Sequence, residues 1–369
     1  MILSLGTGGG HDAAAQAVQS ALIELGAEAE VFDCYGIISP FRSKVVCEAY
    51  LGMVKHVPRL FGWVYNIAFK ISSAKRKSVV YAFNAQNSSR LAGFISSKNP
   101  DAIVFTHIFA GQQLTYLRRH GKVNAWIGGV ITDYDLQPFW NETEIDRIFT
   151  PHESLHAAYE GVGIDKDKLT AMGIPVDPTI REHYDREKAR RDEGIDGKRR
   201  HVLVAGGSMG AGKLPGTIRA LLNGLDEDVL ITVVCGNNRK LIREFHAMHV
   251  PENRLKVLGF VRPLHKLMRT ADVLVSKPGG LSSTEAFVQR IPMVSAHPIQ
   301  GVESNNAEFF KKNGLALCPG TDEAIVKSVK KLLYNEDARA AMMKQQETVV
   351  PHGAAERIAK RILEEAAEK

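Results

Sequence analysis

His11 is the first residue in the chain with the type and placement to do chemistry. It follows the turn Gly6-Thr7-Gly8-Gly9-Gly10, which itself follows the apolar run Ile2 to Leu5. A histidine at a helix start feels the positive end of the helix dipole, which disfavours the imidazolium. The ring is therefore expected to stay neutral near pH 7 and to act as a general base, with Gly9 and Gly10 leaving room for a substrate hydroxyl. The same turn invites a dinucleotide reading, because Asp33 ends the next strand. The third glycine of G-x-G-x-x-G falls at position 11, however, and a histidine there blocks the close helix–strand approach that motif needs.

Two further glycine loops have phosphate-binding character. Gly207-Ser208-Met209-Gly210-Ala211-Gly212-Lys213 matches most of a P-loop, but Leu214 stands where the Mg²⁺-binding Ser or Thr belongs. A P-loop ATPase is thus disfavoured, and a row of backbone amides before a helix remains. The other loop is Ser276-Lys277-Pro278-Gly279-Gly280-Leu281-Ser282-Ser283-Thr284-Glu285-Ala286. Gly279, Gly280 and the first-turn amides can hold a phosphate. Glu285, one turn on, offers an acceptor-only carboxylate suited to the ribose diol of the same nucleotide.

The elements that position these residues repeat. In the first half, strands are expected at Ile2–Leu5, Glu30–Phe32, Ala102–Phe105 and Ala125–Ile131. Ala14, Ala17, Val18, Ala21, Leu22 and Leu25 mark a helix ended by Gly26. The strands at 102–105 and 125–131 are each followed by polar residues, where a parallel sheet presents its functional edge. After the charged stretch Arg181 to Arg200, strands are expected at His201–Ala205, Leu230–Val234, Leu255–Leu258, Val273–Ser276 and Met293–Ser295. A helix is expected from about Pro215. This alternation predicts an α/β protein of two doubly wound Rossmann-like domains facing a central cleft. The expected domains are residues 1–172 and 173–353, divided where Gly173 and Pro175 interrupt the pattern.

Composition narrows the class. The 369 residues are 44% hydrophobic and 24% charged, within the globular range. No apolar run reaches the ~20 residues of a membrane span, and the N-terminus lacks a signal-peptide pattern. Cys34, Cys47, Cys235 and Cys318 are dispersed, which disfavours zinc or a redox dithiol and suits a reduced, cytoplasmic protein. Between Pro40 and Arg90 nine Lys and Arg face one acid, Glu48. Among them Arg59, Lys70, Lys75, Arg76 and Lys77 are interleaved with Trp63 and other aromatics, which suits a helix in the headgroup layer of an anionic membrane. No nucleic-acid signature accompanies the patch, so nucleic acid is not the expected partner.

Several motifs together resemble family 28 glycosyltransferases of the GT-B fold, in particular monogalactosyldiacylglycerol synthases and processive diacylglycerol glucosyltransferases. They are Gly8-Gly9-Gly10-His11, Thr132-Asp133 followed by Trp140, Asp146-Arg147 before a strand, and Gly173-Ile174-Pro175-Val176. Val234-Cys235-Gly236-x-Asn238, Leu258-Gly259-Phe260-Val261 and the 276–286 loop complete the set. The resemblance implies an inverting transfer of hexose from UDP-glucose or UDP-galactose to diacylglycerol, peripheral on the inner face of the cell membrane. It places the donor against Gly207, Ser208, Met209, Phe260, Val261, Gly279, Gly280, Ser283, Thr284, Glu285, Glu303 and Asn306. His11 becomes the base, supported by Gly9, Gly10, Asp133 and Trp140, and the helix from about 354 to 369 returns to the first domain. No D-x-D metal clasp is present, so neither metal nor cofactor is expected. The family's Pro-Gly-Gln-Glu-x-x-Asn reads Gln300-Gly301-Val302-Glu303-Ser304-Asn305-Asn306 here, and the valine leaves the choice of sugar open. The alternatives are a UDP-N-acetylglucosamine transferase on a polyprenyl-linked acceptor and a non-catalytic nucleotide-sugar-binding protein.

Overall fold

The computed structural model describes residues 1–6, 9–39, 41, 44–45, 48, 52, 67–69, 72, 77–86, 88–181, 185–207 and 213–369. By contact, one unit comprises Met1–Pro178, Gln300–Val302 and His352–Lys369, and the other Thr179–Ile299 and Glu303–Pro351.

The first unit is built on a six-stranded parallel sheet. Its strands are β1 (Ile2–Ser4), β2 (Val31–Asp33), β3 (Ala102–Phe105), β4 (Trp126–Val130), β5 (Arg147–Thr150) and β6 (Leu169–Ala171). Their order is β2-β1-β3-β4-β5-β6, so the direction of winding reverses between β1 and β3. β2 runs one residue later than the sequence pattern places it, because Asp33 closes the strand and its carboxylate caps the next helix by accepting from Tyr35 N. β4 is trimmed by a residue at each end. β6, with one fully buried residue among three, carries no apolar run that marks it in the sequence.

The helix Gly10–Glu24 presents Ala14, Ala15, Ala17, Val18, Ala21 and Leu22 to the interior. Small side chains at this spacing let another helix approach closely. Ala355, Ile358, Ala359 and Ile362 of the helix Ala354–Ala367 fill that face, in one cluster with Ile2, Val104 and Phe149. Arg147 fixes the helix further through an ion pair with Glu365 at 2.6 Å. On the opposite face of the sheet, Trp140 lies 1% exposed and stacks on Phe105 at 5.4 Å. Gly129 makes this possible, since a Cβ there would come within 2.6 Å of Trp140 and 2.7 Å of Phe105.

The second unit carries a five-stranded parallel sheet of β7 (His201–Ala205), β8 (Leu230–Val234), β9 (Leu255–Leu258), β10 (Val273–Ser276) and β11 (Met293–Ser295), ordered β11-β10-β7-β8-β9. All five are the segments read from the sequence, and winding reverses between β10 and β7. His201, fully buried, bridges Thr232 Oγ1 at 2.8 Å and Thr270 Oγ1 at 3.0 Å. Burial pushes its imidazole from 6.5 down to about 4. The unfolded chain therefore binds a proton below pH 6.5 that the folded chain refuses until about pH 4. Stability from this group is present above pH 6.5 and declines as pH falls toward 4, by about 3 kcal/mol in all. Denaturant midpoints of the native protein and of His201→Gln, followed from pH 7 to pH 4.5, are expected to converge as the pH drops. Parallel curves would contradict the assignment.

Candidate functional site

Ligands of doubly wound sheets bind at the carboxyl ends of strands where winding reverses. In the first unit this point lies between β1 and β3, and both neighbouring loops deliver histidines to it. After β1, Gly9 takes a left-handed φ of 85° and caps the helix without a side chain; Gly10 then opens the helix and His11 follows in its first turn. The His11 Nδ1–H donates to the Thr106 carbonyl at 2.7 Å, with the Thr132 hydroxyl 3.2 Å from the same nitrogen. Thr106 Oγ1 returns a bond to the His11 carbonyl at 3.0 Å. A carbonyl can only accept, so Nδ1 carries the proton and Nε2 keeps its lone pair. Burial is the main force lowering the His11 pKa, opposed by the Thr106 carbonyl and Asp12. Desolvation thus favours the neutral ring.

The second histidine is His107, unflagged by sequence reasoning beyond its place among the polar residues after β3. It caps the helix Ile108–Arg119, its Nδ1 accepting from Phe109 N at 3.3 Å. Its ring meets His11 edge to face, with centroids 4.7 Å apart. Burial, and then the neighbouring His11, hold its pKa well below the usual value.

Asp133 stands in the loop after β4 and accepts from Gln137 Nε2 at 2.7 Å, while Trp140 donates to Gln137 Oε1 at 3.2 Å. Trp140 is therefore a core residue that shapes this loop, not a surface offered to an acceptor. Lys77 also departs from its expected role. Its ammonium donates to the Glu142 carbonyl at 2.7 Å and sits 5.5 Å from the Tyr81 ring centre, so it anchors the chain instead of reaching toward headgroups. Arg59, Trp63, Lys70, Lys75 and Arg76 lie outside the described residues, as do Gly8, Ser208 and Met209.

In the second unit the reversal point lies between β7 and β10, and the two glycine loops leave those strands. Gly207 adopts φ 71°, and a Cβ there would lie 3.5 Å from Cε of Lys277. Gly279 caps the helix Gly280–Val288 without a side chain, leaving its first turn suited to an anion. Glu285 is half-buried one turn in, and Phe260, 54% exposed, follows β9 with Val261 beside it. Ser283 and Thr284, in contrast, are buried, and the Thr284 hydroxyl is spent on the Gly280 carbonyl at 2.7 Å. Asn306 is fully buried and donates to the Pro278 carbonyl at 3.0 Å. Thr284 and Asn306 thus brace the loop from within, while the buried Ser283 hydroxyl has no hydrogen-bond partner among the described residues. Glu303 pairs with Lys277 at 3.0 Å and accepts from Ile299 N at 2.8 Å, tying the Val302–Lys312 helix to the same loop. Lys277 is a loop cation that the sequence reading quoted without assigning a role.

Two α/β units, each on a parallel sheet, one with a neutral histidine at its reversal point and the other with glycine loops at its own, fit a glycosyltransferase of the GT-B fold, and the comparisons with known proteins support that class. Solved structures with this fold include Acinetobacter baumannii MurG, at TM-score 0.66 and 16% identity over 99% of both chains. The S. aureus MnaA–UDP co-structure aligns at TM-score 0.66 and 14% identity over 98% of this chain and 95% of that one. Residues 11–176 match the monogalactosyldiacylglycerol (MGDG) synthase family, and residues 185–349 match the glycosyl transferases group 1. The processive diacylglycerol beta-glucosyltransferase of Bacillus subtilis strain 168 is 28% identical over 350 residues, 93% of this chain and 89% of that protein. That of Staphylococcus aureus strain MRSA252 is 22% identical, over 94% and 88%. Over 93% of its length the chain is thus similar to processive diacylglycerol glucosyltransferases, and over residues 11–176 to monogalactosyldiacylglycerol synthases.

Proposed function

We propose that this enzyme moves a hexose from a UDP-sugar to the free hydroxyl of diacylglycerol, by one inverting displacement and without a metal, at the cytoplasmic face of the membrane. The observation that carries the reading is the His11 ring, fixed through Nδ1 on the Thr106 carbonyl with Nε2 left as a base. His11 Nε2 takes the acceptor proton as the acceptor oxygen attacks the anomeric carbon. The bond from that carbon to the phosphate oxygen breaks, and UDP leaves with the electron pair. The amides after Gly279 and the Lys277 ammonium oppose the charge that develops on the diphosphate. Inversion of an α-linked donor yields a β-glycoside, the linkage in the relatives' name. That name also supports the acceptor.

Glu285 accepts from the ribose hydroxyls in this reading. Replacing it by Ala is expected to weaken UDP binding roughly tenfold, in line with the loss of charge-assisted hydrogen bonds of about 1.5–3 kcal/mol. Calorimetric titration with UDP checks this, and an unchanged Kd would remove the ribose role. Among the described residues no helix is long and apolar enough to cross a membrane. Membrane access then rests on the basic and aromatic residues between Pro40 and Arg90. Labelled hexose transfer in vesicles tests the whole proposal. Activity is expected to be higher on anionic than on neutral vesicles and to survive EDTA; loss on chelation would remove the metal-free mechanism.

A further inference from the structure

His11 and His107 form a matched pair whose second member the reaction above does not use. Their bonds fix opposite tautomers. His11 donates through Nδ1 to the Thr106 carbonyl, so its Nε2 is an acceptor. His107 accepts through Nδ1 from Phe109 N, so the neutral ring carries its proton on Nε2. Among the described residues neither Nε2 has a hydrogen-bond partner, and neither is a sealed, orphaned polar atom. The rings meet at 4.7 Å with planes inclined by 71°, at the carboxyl ends of adjacent strands β1 and β3. One acceptor and one donor therefore stand side by side at the reversal point of this sheet.

We propose that His107 is an acceptor-binding residue: its Nε2–H donates to a second oxygen of the acceptor, next to the hydroxyl that His11 deprotonates. A single alcohol satisfies only His11. A molecule with oxygens on neighbouring carbons satisfies both, as does the free hydroxyl of a 1,2-diacylglycerol beside its ester oxygen, or a vicinal diol of a sugar. Donation to the neighbouring oxygen, rather than to the reacting one, leaves the nucleophile's remaining lone pairs free for attack. The pair thus selects for vicinal oxygens. This inference rests on the transferase reading above and names the chemical class of its acceptor.

The test separates the hydrogen bond from the helix cap. In His107→Asn the shorter side chain still caps the helix Ile108–Arg119 but has no Nε2–H to present. Acceptor KM for 1,2-dioleoylglycerol in mixed micelles is expected to rise roughly tenfold, the equivalent of one lost hydrogen bond. KM for a long-chain primary alcohol with no neighbouring oxygen, and the Kd for UDP, are expected to stay within twofold. His107→Phe keeps the ring volume and loses the cap, so it is expected to melt lower yet show the same KM pattern. Equal KM changes for the diacylglycerol and the alcohol, or no change for either, would overturn the pairing. If the native enzyme glycosylates neither lipid while still binding UDP, it is the transferase reading that fails, and the variants are not needed to see it.

Discussion

Replacement of His11 by Ala is expected to lower kcat by about a thousandfold, within the range general-base groups contribute, while UDP binds with unchanged affinity. The split follows from where the residue sits. His11 belongs to the β1–β3 edge of the first unit, whereas the glycine loops, Lys277 and Glu285 belong to the second. The pH profile carries a second signature. The base must be neutral, and burial lowers its pKa from 6.5, so the acid limb of kcat is expected below the value of a free histidine. That limb disappears in the variant, whose residual rate has no imidazole to titrate. Turnover within a few-fold of the native enzyme would reject His11 as the base.

The largest structural effect is expected at Glu142. Its carboxylate is fully buried and accepts from Ser78 N and Ser78 Oγ, both at 3.0 Å, and from Gln112 Nε2 at 2.6 Å. The network continues through Asn84, which donates to Gln112 Oε1 at 2.5 Å, to the Tyr35 hydroxyl. Burial raises the Glu142 pKa, opposed by the Ser78 and Gln112 bonds. Glu142→Ala strands three donors in the interior, at about 3 kcal/mol in total or roughly 6–12 °C in Tm. Because Ser78 and Lys77 lie within the basic and aromatic segment, the variant is also expected to lose transfer to vesicles more than to soluble acceptors. Calorimetric melting checks the first part, and a shift below about 2 °C would mean the network holds little.

Much of this architecture was legible in the sequence. β7 to β11 are short, largely apolar runs between helical segments, so each announces itself locally. The glycine loops gave their own positions, because a left-handed Gly9 or Gly207 favours that residue type. What escaped depends on partners distant in the chain. Glu142 looks like any surface acid until Ser78 and Gln112 are brought to it. His107 reads as a polar residue after a strand, and only its approach to His11 gives it meaning. Thr284 and Asn306 were expected against the donor because they sit in the right motifs. Packing instead makes them the supports of those motifs, since a loop presenting bare backbone to a ligand must be held from behind.

The most direct measurement is transfer of radiolabel from UDP-glucose and, separately, UDP-galactose into diacylglycerol in anionic vesicles, with products resolved by chromatography. A labelled glycolipid is expected from one of these donors, formed about a thousandfold more slowly by the His11→Ala enzyme. No glycolipid from either donor, by a native enzyme that still binds UDP, would contradict this expectation.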